Sequence, residues 1–165
     1  MPRIDFYVIS GQAANGRSLL ACRLAEKAYS LGHRVYIHTA SAEQARYMDD
    51  LLWTFRQSSF IPHALYPPDE TDLSPVLIGW SETSDAVAED LKKRLLPTGS
   101  KSSDHPEDSA PATVLINLTH EIPPSFEQFE RVVELVDQNP ETLRKSRERF
   151  RFFREQGYTP ESHQL

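Results

Sequence analysis

Gly11-Gln12-Ala13-Ala14-Asn15-Gly16-Arg17-Ser18 follows an apolar run and comes within one position of a phosphate-cradling loop. The position that departs is the one that matters chemically. Such a loop needs a lysine ammonium to reach the β- and γ-phosphates, and Arg17 offers a bulkier planar fork that does not substitute freely. A Mg²⁺-holding acid is also needed at the end of a later apolar strand. Here the acids come late and as glutamates, Glu82 after Val76 to Trp80 and Glu121 after Val114 to Leu118. The expectation is a Gly-rich strand-to-helix turn and no functional nucleotide-binding loop. A P-loop-like nucleotide-binding enzyme built on Gly11 to Ser18 is the alternative.

Other catalytic or metal chemistry finds less support. His33, His38, His63, His105, His120 and His163 are scattered, with no i, i+4 pair and no cysteine companion, so hydrogen-bonded or solvated histidines are expected. The single cysteine, Cys22, lies beside Ala21 and Leu24 in a helical pattern and reads as a small core residue. No G-x-S-x-G turn exposes a serine, and Glu121 and Asp137 lack the spacing of paired carboxylates. No catalytic, metal or cofactor residue is assigned.

Two features point instead to binding. Leu51, Leu52, Trp53, Phe55, Phe60, Ile61 and Pro62 concentrate apolar bulk around a connector. Leu52 and Phe55 read as core, but aromatics beside proline in a link are hard to bury fully, and exposed aromatics are the usual anchors of an interface. Near the C-terminus, Arg144, Arg147, Arg151 and Arg154 are spaced 3, 4 and 3, which puts them on one helical stripe. Leu143, Ser146, Phe150 and Phe153 form the adjoining stripe. A solvated face explains arginines in general, yet this stripe carries four without acidic i, i+4 partners on it. Arginine forks bind carboxylates bidentately, so a row of them beside phenylalanine suits an acidic, partly apolar peptide.

The elements that must position these residues alternate in period. Ile4 to Ile9 reads as a strand, Arg17 to Leu31 as a helix stopped by Gly32, Val35 to His38 as a strand, and Ser41 as the cap of a helix reaching about Trp53. Pro62 argues against a central strand in the connector. Val76 to Trp80 and Val114 to Leu118 are continuous apolar runs suited to strands buried on both faces. Residues 96–112, rich in Ser, Pro, Asp and Lys, are expected to form a mobile surface loop. Phe126 to Asp137 and Glu141 to Gln156 read as two helices, the second opened by Pro140. The sum is a single α/β domain over residues 1–165, Rossmann-like, with a mostly parallel sheet flanked by helices.

At 165 residues, with 39% hydrophobic and 25% charged, the chain can bury a core without disulfides. Its net charge of −6 disfavours direct nucleic-acid binding. The stretch from Glu141 to Gln156 runs against that, with six basic and three acidic residues. No apolar stretch is long enough to span a bilayer, and no basic head, apolar run and cleavage site open the chain; a cytoplasmic location is expected.

Several segments together resemble the chi subunit of bacterial DNA polymerase III holoenzyme, a clamp-loader accessory protein. They include Asp5-Phe6-Tyr7, Ala21-Cys22-Arg23-Leu24-Ala25-Glu26-Lys27-Ala28, Gly32 to His38, Gln44-Ala45, and Leu51-Leu52-Trp53-Thr54-Phe55. Ser59-Phe60-Ile61-Pro62-His63 is the most telling of them; Pro75 to Ile78, Val114 to Leu118 and Arg147-Glu148-Arg149-Phe150 fit as well. The resemblance covers most of the chain and implies a non-catalytic adaptor. It implies a psi-subunit surface at Trp53, Phe60 and Pro62, and a site for the acidic C-terminal tail of single-stranded DNA-binding protein at Val136, Arg147, Phe150 and Arg151, with Arg144 near. Phe150 and Arg151 stand where relatives can carry tyrosine and lysine, keeping aromatic bulk and charge without the hydroxyl.

Overall fold

The computed structural model describes residues 2–10, 16–56, 60–66, 74–80, 87 and 112–165. Seven strands form one all-parallel sheet: β1 (Arg3–Val8), β2 (Arg34–Thr39), β3 (His63–Leu65), β4 (Val76–Trp80), β5 (Thr113–Asn117), β6 (Arg131–Val136) and β7 (Glu161–Gln164). Their order across the sheet is β3-β4-β2-β5-β6-β1-β7. Three helices have their bounds among the described residues, α1 (Gly16–Ser30), α2 (Ala42–Thr54) and α3 (Pro140–Glu155). The expected α/β, Rossmann-like class holds. Most of the turn at Gly11 to Ser18, and residues 96–111 of the expected loop, lie outside the described residues. No described helix is long and apolar enough to cross a membrane.

Strand alternation divides the core in two. Val35, Ile37, Val76, Ile78, Val114, Ile116, Val133 and Leu135 point to one face, where they meet Ala21, Cys22 and Ala25 of α1 and Met48 and Leu52 of α2. Ile4, Phe6, Tyr36, Leu77, Leu115, Val132 and Val136 point to the other, where Phe153 of α3, Phe126, Phe129 and Tyr158 cover them. Small residues on α1 let it lie close to the sheet, and Cys22 is one of them. Burial pushes its thiol up to about 12, which makes it an inert packing residue.

The helix ends follow local rules. Ser41 caps α2 by accepting from Gln44 N–H, while the Gln44 side chain reaches back to accept from Ala40 N–H, one residue before the cap, a variant of the capping box. Asn139 accepts from Glu141 and Thr142 at the start of α3, with Pro140 in the first turn as expected. Both α1 and α3 end on glycines with positive φ, Gly32 at 85° and Gly157 at 92°. In each the next N–H turns back into the last turn, His33 to Ala28 O and Tyr158 to Phe153 O. Leu31, expected as the last residue of this helix, falls past its end and is exposed.

One expectation is overturned. Phe126 to Asp137 is not a helix: a single 3-10 turn, Phe126–Gln128, leads into β6 in the middle of the sheet. Phe126, Phe129, Val133 and Val136 imitate helical spacing, but Val132, Val133 and Val136 are β-branched, and pairing with both β1 and β5 satisfies the backbone on two sides. The misleading residue is Glu134, a charge that reads as solvent-facing yet has no exposure. Two edge strands also went unanticipated. β3 is three residues long and follows Pro62, in keeping with an edge position, and β7 follows Pro160.

Glu134 is tolerated because α3 carries its partner. Arg149, itself buried, holds Nε 3.2 Å from the carboxylate and donates from Nη1 to the His120 carbonyl, and Asn117 Nδ2 donates to both carboxylate oxygens at 3.0 and 3.2 Å. The Arg149 Nε contact is an ion pair without hydrogen-bond alignment, and Nη2 has no partner among the described residues. Burial raises the Glu134 carboxyl to about 7, against the opposing pull of Arg149 and Asn117. Because the folded value lies above the usual 4.5, the folded state binds this proton more tightly, and the group's contribution to stability falls as pH rises from about 4.5 to about 7. Arg149→Met strips the compensating charge and is expected to cost about 3–5 kcal/mol near pH 8. The loss should shrink at about pH 5, where Glu134 takes up a proton, and adding Glu134→Gln should recover part of it. Urea unfolding at the two pH values measures this; an equal loss at both would remove Glu134 as the cause.

Candidate interaction surfaces

The aromatic surface is built by the end of α2 and the lead into β3. Leu52 and Ile61 turn into the core, and Phe55 is half-buried, as expected for its side of the helix. Trp53, one position on from Leu52, is 52% exposed, and Phe60 is 68% exposed. The structure brings these two together, ring centroids 5.7 Å apart, with half-buried Pro62 following Phe60 and Ile61. Beneath Trp53 lies a contributor that sequence reasoning missed. The buried His63 ring sits 4.6 Å from Trp53, and its two nitrogens meet the Ile61 and Asp49 carbonyls. A histidine fixed by backbone contacts gives the exposed indole a rigid seat, and only the two-residue spacing from Ile61 hinted at its inward direction.

The cationic surface lies on α3. Ser146, Arg149 and Phe153 face inward, and Phe150 is half-buried against the cluster that contains Val136, its ring 5.2 Å from Phe6. Arg147, Phe150, Arg151, Arg154 and Glu155 line one open groove of about 600 Å³. Among the described residues, Arg147, Arg151 and Arg154 have no acidic partner. Arg154 belongs with them by the same spacing that selected the others. Val136, at the end of β6, is 3% exposed and supports the Phe150 side of this groove from below.

Arg144 differs from the expected unpartnered row. Its Nη2 lies 2.9 Å from Glu141, and Nη1 lies 3.5 Å from Glu148, so acidic partners exist at i−3 and i+4. The stripe count missed them because both glutamates stand just beside it. Such exposed pairs contribute little to stability and exchange readily with another carboxylate.

Two further groups of chemical side chains are explained by structure. Arg17, the residue that spoils the phosphate-loop pattern, donates from Nε to Leu135 O and from Nη2 to Leu118 O at 3.1 and 2.8 Å. Its fork ties the start of α1 to the chain at the ends of β5 and β6. Asp5, Glu161 and His163 lie close enough to hold a cation. However, Asp5 is already met by Arg131 at 2.9 Å, His163 at 2.9 Å and Arg3 at 3.1 Å. Despite its burial, these partners keep its carboxyl below the usual range. Positive charge on this scale opposes a metal and instead fastens β7 to β1.

Comparison with known proteins adds the family. Residues 1–161 match the family model described as DNA polymerase III chi subunit, HolC. A Pseudomonas aeruginosa protein named DNA polymerase III subunit chi is 39% identical over 165 residues, covering 100% of this chain and 98% of the relative. Proteins of the same name from Haemophilus influenzae and Escherichia coli are 26% and 24% identical, over 93% and 96% of this chain and 91% and 95% of theirs. With a match along nearly its whole length and an all-parallel α/β fold to go with it, this chain belongs to the DNA polymerase III chi subunit family.

Proposed function

We propose that the chain is a cytoplasmic, non-catalytic adaptor of the replicative polymerase. It joins the psi subunit of the clamp loader, through Trp53, Phe60 and Pro62, to the acidic C-terminal tail of single-stranded DNA-binding protein, through α3. The observation that carries this reading is the placement of two unlike exposed surfaces on opposite faces of one sheet. α2 packs with the α1 core, whereas α3 covers the other face. Two partners so arranged can bind together without competing.

The chemistry of each surface fits its partner. Trp53 and Phe60 supply the aromatic anchors that dominate interface energies, held by Pro62 and by the fixed His63 ring. On α3, Arg147 offers its fork to the tail's terminal or aspartate carboxylates. Phe150, backed by Val136, forms the wall for the tail's apolar side chain. Arg151 and Arg154, which form no ion pair among the described residues, add positive field beside Glu155, and Arg144 at the outer rim can exchange Glu141 or Glu148 for a tail carboxylate. The net −6 of the whole molecule makes this local cationic patch selective for an acidic segment over nucleic acid, whose phosphates would meet the acidic remainder.

Arg147→Ala is expected to weaken binding of an acidic tail peptide by about 1.5–3 kcal/mol, the range for a hydrogen bond to a charged group. Calorimetry on the folded variant measures it, and unchanged affinity would take α3 out of the site. Raising salt should weaken the same complex mainly through slower association. Phe60→Ala is expected to abolish co-purification with psi while leaving peptide affinity unchanged, and at 68% exposure it should cost the chain itself little stability. Loss of both bindings together would indicate misfolding rather than a surface effect, which circular dichroism of the same sample separates.

A further inference from the structure

A second concave site lies away from both surfaces. At the C-terminal ends of β2 and β5 is a crevice of about 540 Å³. Its lining mixes polar Arg17, His38, Gln44, Thr119 and His120 with apolar Leu118, Ile122, Pro123 and Pro124. Crevices outside the carboxyl ends of parallel strands are where open α/β sheets take ligands.

Three observations give the crevice its chemistry. His38 is only 4% exposed, and its Nδ1 is 3.0 Å from the Tyr36 hydroxyl. Its Nε2 has no partner among the described residues, although the ring lines the crevice. In the tautomer whose Nδ1 accepts from the Tyr36 hydroxyl, Nε2 carries a hydrogen for an acceptor in the crevice. Arg17 spends Nε and Nη2 on carbonyls, which fixes the fork, and Nη1 has no partner among the described residues. Two residues at the start of α2, Ala40 and Gln44, line the same space, which puts it within the field of that helix end. Among the described residues, the one carboxylate on the lining, Glu121, is exposed.

We propose that this crevice binds a phosphate group, free or as a small monoester, through Arg17 Nη1, His38 Nε2 and the N-terminal end of α2. Its volume exceeds a bare phosphate and suits a small organic molecule, whose body would lie on the Leu118, Ile122 and proline side chains. The site is a binding site and not a transfer site, because Arg17 replaces the lysine that would reach a second phosphate. Local charge agrees. His120, at the rim, is held below its usual range by burial and then by Arg17 and Arg149, so an anion here would relieve crowded positive charge.

The test uses the full chain in chloride buffer, with inorganic phosphate, AMP and adenosine as probes, followed by calorimetry and by the histidine ring resonances. Saturable binding of phosphate or AMP, with His38 and His120 shifting together and the His120 pKa rising, is expected. Equal affinities would identify free phosphate as sufficient, and tighter AMP would show that the ester's body uses the apolar side chains. Gln44→Glu should weaken binding by about tenfold or more, since it adds a negative charge while a glutamate still completes the capping box. Arg17→Gln is a second variant, checked for folding by its retained peptide affinity. Absence of saturable binding would overturn the proposal, as would adenosine binding as well as AMP. So would binding that survives Gln44→Glu but disappears in Arg147→Ala, which would move the anion to α3.

Discussion

The buried contact between Arg149 and Glu134 fixes where α3 stands. Glu134 sits in a strand flanked on both sides, where no water can reach its carboxylate, and Asn117 from β5 can satisfy only part of it. A cation must come from outside the sheet, and α3 brings it. Once Arg149 is committed inward, helical geometry decides the rest. Phe153, one turn on, falls into the core, while Arg147, Arg151 and Arg154 are turned outward around Phe150. The pair is costly in desolvation and is weak evidence for stability in itself. Its effect is positional, since an apolar substitute would tolerate sliding or rotation of α3 that a buried ion pair, with Nη1 held by the His120 carbonyl, does not.

The adaptor role proposed above would need a stiff body more than a deep pocket, and the sheet supplies one. α2 and α3 cover opposite faces, so the surfaces near Trp53 and Arg147 are separated by packed core. The edges are closed differently at the two ends. β3 is short and leads out of a proline segment, whereas β7 is fastened by Asp5, which accepts from His163 and Arg131 across three strands. Both devices limit unwanted edge pairing.

Much of this could be read in the sequence, and the failures share a cause. β1, α1, β2, α2, β4 and β5 emerged from periodicity and turn chemistry, because each buries its apolar residues in a pattern set by local geometry. β6 did not, because Glu134 broke the apolar run and its partner lies fifteen residues further on in another element. β7 was invisible, since Glu161, Ser162 and Gln164 are exposed and its order comes from β1. The aromatic and cationic surfaces were legible as residue types in the wrong places for burial. Their assembly was not: that Phe60 reaches Trp53, that His63 seats the indole, and that Glu141 and Glu148 take Arg144 all depend on tertiary placement.

Arg17 connects the sequence pattern with the family's non-catalytic character. A lysine at this position would extend as a point charge toward a ligand. An arginine has donors to divide, and here two of them answer the Leu118 and Leu135 carbonyls. The result is a helix start bound to the sheet by side-chain bonds, with a cation that has already been partly desolvated and held still. Such an arrangement removes the reach that phosphoryl transfer requires, yet it preserves the fixed positive potential on which anion binding depends. The loop's likeness to a catalytic motif is therefore compatible with a protein whose work is done by surfaces, since orientation of α1 and attraction of an anion need only what Arg17 retains.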